Sequence, residues 1–315
     1  MMEEPQVVVV GSCNIDLICY TTRLPKPGET LHGTKFEKGY GGKGANQCVM
    51  AARLGARCAM VAKLGDDDFG HGTVENFRTN NVNVDHVMLT KEASSGVAAI
   101  TVNEEGENCI VIVSGANMLL CPGDVTKADS LIALATVVVC QLEVNPHTTL
   151  TALKLAKKHG VTTIFNTAPG LSGLTEDYYK HTDILCLNES EAETILDVPV
   201  PDLSAGEAAM ERLQALGCGC VVLTMGERGV LYTQCQQGVW SRVEHIEAHR
   251  VEAIDTTGAG DAFVGALAYY LACLPELSLG EMLRRAGVIA SHTVTARGTQ
   301  SSYHVNTLPR ELMLP

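Results

Sequence analysis

Short β-branched and aliphatic runs alternate with amphipathic, helix-prone stretches along most of this chain. That rhythm leaves few folds open, because strands that alternate with helices build a mostly parallel sheet covered on its faces. VVVVGS at 7–12 reads as a buried strand, KGANQCVMAARLG at 43–55 as a helix closed by Gly55, and CAMVAKLG at 58–65 as the next strand. TALKLAKKHG at 151–160 predicts a helix ending in a cap glycine, followed by the strand VTTIFN. DILCLN at 183–188 and CVVLTMG at 220–226 are further strands. Helices are predicted from Gly260 to about Cys273 and from Ser278 to about Val294.

Two segments break the rhythm. Residues 17–39 look like two strands around a Pro/Gly turn, and residues 96–115 like a hairpin with NEEGEN at its tip. Neither has a helix beside it, so together they predict a small separate sheet projecting as a lid from a single domain spanning 1–315.

Composition narrows the partners. With 4% aromatic residues the core must be aliphatic, and a net charge of -13 without a Lys/Arg cluster argues against nucleic acid. The acidic start MMEEPQ lacks the basic region of a signal peptide, and the longest apolar run, LIALATVVVC, is too short to span a bilayer. Twelve cysteines lie scattered without a CxxC pair, which reads as reduced thiols in a cytoplasmic protein away from membranes.

In open parallel sheets, ligands bind beyond the carboxyl ends of the strands. Here those ends carry Asn14 and Asp16, Glu143, Asn166, Asn188, Thr224 and Asp255, a polar rim suited to a polyhydroxylated ligand. GYGGKGAN at 39–46 fits neither a P-loop nor a dinucleotide fingerprint. It reads instead as a tight diglycine turn into a helix, with glycines that let a ligand approach the backbone and with Lys43 and Asn46 near the helix start.

DTTGAGDAFVGA at 255–266 carries the chemistry. Asp261 is expected as the first or second residue of a helix, leaving the N–H groups of Gly258, Ala259, Gly260 and Asp261 free to converge as an anion nest. Such a nest suits the charge of a phosphoryl group in transfer. The helix dipole is expected to hold Asp261 ionised, available to take a proton from an attacking hydroxyl. In NESE at 188–191, Asn188 and Glu191 share a face, where they either approach a hydrated Mg²⁺ or cap the helix.

GGKGANQ…AARLG followed by DTTGAGDAFVGALA is similar to the two signatures of the PfkB-type carbohydrate kinases. The motifs GSCNIDL, PKPGET, GEN…GAN, QLE, NESEAE, TMGERG and GTQSS extend the resemblance over essentially the whole chain, and they look like the ribose-phosphorylating members in particular. Cys48 departs from the small residue common at its position. The resemblance implies a three-layer α/β/α sandwich with a mostly parallel central sheet and a small projecting β-sheet lid, through which members form homodimers.

It also implies a site. D-ribose would be held by Asn14, Asp16, Gly42, Lys43, Gly44, Asn46 and Glu143, with Asp261 as base on the 5-hydroxyl and Gly258, Ala259 and Gly260 as anion hole. ATP would contact Asn188, Gly260 and the loop of Thr224, Met225, Gly226, Glu227, Arg228 and Gly229. Glu191 would organise Mg²⁺ through water, and an activating K⁺ would be held by Asp255, Thr257, Thr293, Ala296, Gly298 and Ser302. Gly287 stands where members often carry a polar side chain near the adenine. Competing expectations are another small sugar (deoxyribose or fructose), a nucleoside, or a non-catalytic sugar sensor.

Overall fold

The computed structural model describes residues 4–314, so the first three residues of the acidic start MMEEPQ lie outside them. Fourteen strands follow one another as β1 Val7–Val10, β2 Asn14–Tyr20, β3 Lys35–Gly41, β4 Cys58–Gly65, β5 Asn83–Thr90, β6 Gly96–Val102, β7 Asn108–Val113, β8 Val137–Cys140, β9 Thr162–Asn166, β10 Ile184–Asn188, β11 Cys220–Thr224, β12 Val230–Gln236, β13 Val239–Trp240 and β14 Glu244–Ile246. Ten form one sheet in the order β13-β12-β11-β10-β9-β8-β1-β4-β5, with β14 beside β12. From β11 through β5 every pairing is parallel; β12 pairs antiparallel with β11, β13 and β14.

Parallel strands covered on both faces must be apolar throughout, and β1 obeys, since its four valines are fully buried. Val7 and Val9 join one core with helices 43–54, 259–273 and 279–293; Val8 and Val10 join the other, under helices 146–158 and 203–214. The sheet is thus the middle of three layers. Among the described residues, no helix is long and apolar enough to cross a membrane.

The two segments without covering helices form a second sheet, β3-β2-β6-β7, separate from the main one. Its strands reach beyond the expected bounds: β2 starts at Asn14 and β3 runs to Gly41, while a 3₁₀ turn from Gly115 follows β7. The helix expected from residue 151 begins at Pro146, because Asn145 caps it with a proline in its first turn.

Strand order reverses between β1 and β8, whose carboxyl ends lead to Ser12 and Glu143. Such a switch point opens a crevice above the sheet. Four residues after β1, the chain enters the small sheet, so Asn14 and Asp16 lie on β2 beside that crevice rather than on the end of β1.

Candidate active site

The site is assembled where helix 43–54 packs against helix 259–273. A Cβ at Gly265 would lie 2.5 Å from the Gln47 carbonyl oxygen and 2.8 Å from Met50 Cβ, so only glycine permits this approach. Gly44 serves the same end, since a Cβ there would stand 2.7 Å from the Ser12 nitrogen. The glycines of GGKG were expected to admit a ligand; these contacts show that Gly44 also allows close chain-on-chain packing.

Close packing places Asp261 on two amides. Asn46 Nδ2 donates to its Oδ2 at 2.9 Å and Gln47 Nε2 to its Oδ1 at 2.9 Å. Each amide is itself held: Gln47 Oε1 accepts from Gln141 Nε2 at 2.6 Å, and Asn46 Oδ1 accepts from Gln300 Nε2 at 3.1 Å. Gln47 Nε2 also reaches Asn166 Oδ1 at 3.0 Å. Asp261 is buried, and burial pushes its carboxyl above the ordinary value, against the pull of Lys43, Asn46 and Gln47. The expectation that the helix dipole governs its ionisation is therefore corrected: desolvation is the largest influence, and it makes Asp261 more basic.

Helix 259–273 starts at Ala259, so Asp261 is its third residue rather than its first or second. Ala259 N–H donates to the Thr256 carbonyl at 3.2 Å, which narrows the expected nest to Gly258, Gly260 and Asp261. Gly258 adopts the left-handed conformation at φ 79°, and its carbonyl accepts from Tyr303 Oη at 3.0 Å, fixing the turn.

Beside this turn lies a cleft of about 160 Å³. Lys43, Gly258, Gly260 and Asp261 line it together with Asn188, Glu191 and Thr224. Asn188 and Glu191 form a reciprocal helix cap: Asn188 Oδ1 accepts the Glu191 N–H at 2.9 Å, and Glu191 Oε2 accepts the Asn188 N–H at 3.0 Å. The capping alternative for NESE is the one observed, and the capping pair also lines the cleft. Glu191 is buried, and that burial raises its carboxyl despite Asn188 and Lys43.

On the crevice side, Glu143 Oε2 accepts from Ser12 Oγ at 2.6 Å and from the Lys43 N–H at 3.0 Å. The Asp16 carboxylate has no hydrogen-bond partner among the described residues. Burial, then Glu143 and Asp261, raise its carboxyl to about 6. Lys43 is opposed by burial, yet Asp261, Glu143 and Glu191 outweigh it and lift its ammonium above the usual value. The side chains of Asp16, Glu143, Asp261 and Lys43 make no hydrogen bond to one another among the described residues, and Glu143 meets Lys43 only through the lysine backbone N–H.

The loop after β11 carries Thr224, Met225, Gly226, Glu227, Arg228 and Gly229. Its turn is closed by the Met225 N–H on the Gly229 carbonyl at 2.8 Å, while Arg228 turns to Glu189 Oε1 at 2.8 Å. Asp255 lies on an irregular stretch, not on a strand end. Its Oδ1 accepts from Thr257 Oγ1 at 2.6 Å and its Oδ2 from the Gly298 N–H at 2.8 Å. Burial opposes its charge, but these donors and the positive charge of Arg297 outweigh it and hold Asp255 below its ordinary value. Thr293 and Ser302 are buried, and Ser302 Oγ donates to the Thr299 carbonyl at 2.8 Å. A Cβ at Gly287 would meet open space within 4 Å.

The sequence pattern of the pfkB family carbohydrate kinases matches residues 4–306. The chain belongs to this family. The kinase is 50% identical to the mouse ribokinase over 302 residues, covering 96% of this chain and 92% of that protein. It is 39% identical to the deoxyribokinase of Salmonella typhi, over 94% of this chain and 95% of that one. The structure of an Arabidopsis thaliana ribokinase with ribose and ATP superposes on the kinase with a TM-score of 0.88 at 29% identity, over 99% of this chain and 98% of that one.

Gln47, Gln141 and Gln300 were missed as site residues. The signal was present: each is a polar residue inside a motif that carries the family resemblance (GGKGANQ, QLE and GTQSS), and each is buried.

Proposed function

We propose that this kinase transfers the γ-phosphoryl group of ATP to the 5-hydroxyl of D-ribose, giving ribose 5-phosphate and ADP. The observation that carries the reading is the pairing of a buried, amide-held Asp261 with an unpartnered Asp16 in one crevice. Asp16, Asn14, Glu143 and Lys43 hold the sugar hydroxyls, and Gly42, Gly44 and Asn46 shape the floor beneath them. Asp261 takes the proton of the 5-hydroxyl as its oxygen bonds to the γ-phosphorus, and the bond to the bridging oxygen of ADP breaks. The N–H groups at Gly258, Gly260 and Asp261 face the developing phosphoryl charge. Asn188 and the loop from Thr224 to Gly229 receive the nucleotide.

The donor set at Glu191 fits a hydrated Mg²⁺: both carboxylate oxygens already accept from Asn188 and keep lone pairs for water. When bound, Mg²⁺ neutralises phosphate charge. The carboxylate of Asp255, held below its ordinary value, suits K⁺ together with Thr257, Thr293, Ala296, Gly298 and Ser302. Bound there, the ion would offset that charge and stiffen the Gly258 turn.

The small sheet acts as a lid on the single domain, and a second copy covers it. Ile110, Val111, Ile112 and Val113 of β7 are 49–60% exposed, so both faces of this edge strand await cover. The kinase works in the cytoplasm. Kinship with a deoxyribokinase supports a second reading, 2-deoxyribose as substrate. An ADP-release assay with ATP and a panel of ribose, 2-deoxyribose, fructose and nucleosides tests both. Ribose is expected to give the highest kcat/KM, and a preference for any other acceptor overturns the reading.

A further inference from the structure

Asn117 lies 104 residues beyond Cys13, in the 3₁₀ turn after β7, and is buried. Its side chain makes three hydrogen bonds to the start of β2. Oδ1 accepts the Cys13 N–H at 2.9 Å, and Nδ2 donates to the Cys13 carbonyl at 3.0 Å and to Asn14 Oδ1 at 2.8 Å. Turning this amide over would set its oxygen against two acceptors and its NH₂ against a donor. Backbone chemistry therefore fixes which way Asn117 points.

The orientation passes to Asn14. With its oxygen committed to Asn117, Asn14 offers only Nδ2, which has no acceptor among the described residues and is not sealed from solvent. Asn14 and Asp16 alternate by two along β2 and so share a face. On that face lies the crevice, because Asp16 is close enough to Glu143 and Asp261 to be raised by them. Gly96, the register partner of Asn14 on β6, leaves room for the pair: a Cβ there would lie 2.2 Å from Asn14 Oδ1 and 2.4 Å from Asn117 Nδ2.

We infer that Asn117 is a positioning residue for sugar recognition, locking Asn14 as a pure hydrogen-bond donor beside the acceptor Asp16. A sugar hydroxyl then accepts from Asn14 while a hydroxyl donates to Asp16, a polarity that fits vicinal hydroxyls and penalises an acceptor lacking one. This rests on the ribose reading above, and the test separates the two.

Asn117→Leu keeps the volume and removes the lock. It is expected to raise the ribose KM about tenfold, the loss of one well-placed hydrogen bond, with a much smaller change in kcat. Gly96→Ala, whose methyl group pries the pair apart while both amide side chains are retained, is expected to raise KM in the same direction. In an Asn14→Ala background, Asn117→Leu should add little further, because its effect runs through Asn14. An unchanged KM in both Asn117→Leu and Gly96→Ala, or full additivity with Asn14→Ala, overturns the inference. If Asn14→Ala itself leaves the ribose KM unchanged, the sugar-site reading fails instead.

Discussion

Gln47 and Asp261 stand 214 residues apart in the chain and are joined by a hydrogen bond of 2.9 Å. With Asn46 on the other oxygen, both lone-pair edges of the carboxylate are steered by amides that are themselves held, so the base has one fixed orientation. Burial raises its basicity against the pull of these donors.

Asp261→Asn should therefore remove the proton acceptor without disturbing the fold. We expect kcat to fall by about 10²–10⁴, with ribose binding by calorimetry largely retained. Substantial residual ADP formation would take Asp261 out of its role.

Asp16 gives the pH dependence. Its carboxyl sits at about 6 in the folded chain, above the ordinary value of about 3.9. A raised carboxyl binds its proton more tightly folded than unfolded, so its charge costs stability at neutral pH, and the cost fades as pH falls through that value. The apparent ribose KM should rise as pH drops below about 6. Asp16→Asn should show a high, flat KM and a melting temperature raised by a few degrees at pH 7.5. At a pH below the unfolded value, thermal scans of the two proteins should coincide.

Gly265 and Gly287 sit in neighbouring helices and predict opposite signs. A Cβ at Gly265 collides with the Gln47 carbonyl, whereas one at Gly287 meets nothing within 4 Å. Gly265→Ala should cost about 1–3 kcal/mol and lower kcat, because the helix bearing Asn46 and Gln47 is pushed from Asp261. Gly287→Ala should instead stabilise by about 0.5–1 kcal/mol through helix propensity. Urea unfolding of both variants decides it.

Exchanging K⁺ for Na⁺ should lower the rate, and Asp255→Ala should erase the difference between the two ions. Steady-state rates in matched chloride salts test this. Equal rates in the parent protein would mean that the cation site around Asp255 is wrongly assigned.

Much of this was legible in the residues. The alternating runs predicted the central sheet, and the two uncovered segments its separate companion, because periodicity reports local burial. Asp261 and the small residues before it were legible as a helix start beside an anion turn. What escaped was set by packing between distant segments. No pattern near Asp261 announces Gln47 or Gln300, and the desolvation that raises its carboxyl exists only once helix 43–54 lies against it. Likewise, Ala259 gives its N–H to Thr256 through the detailed path of a turn that small residues alone leave open.

The frame around Asp261 also dates the moment at which the chain becomes an enzyme. Its members come from residues 46–47, 141, 166 and 300, and the bond between Asn46 and Gln300 closes a span of 254 residues. Contacts of such separation form late, after local helices and hairpins have already gathered. In a refolding experiment, far-ultraviolet circular dichroism should recover first and phosphoryl transfer last. The base is then a clock for the final step of folding.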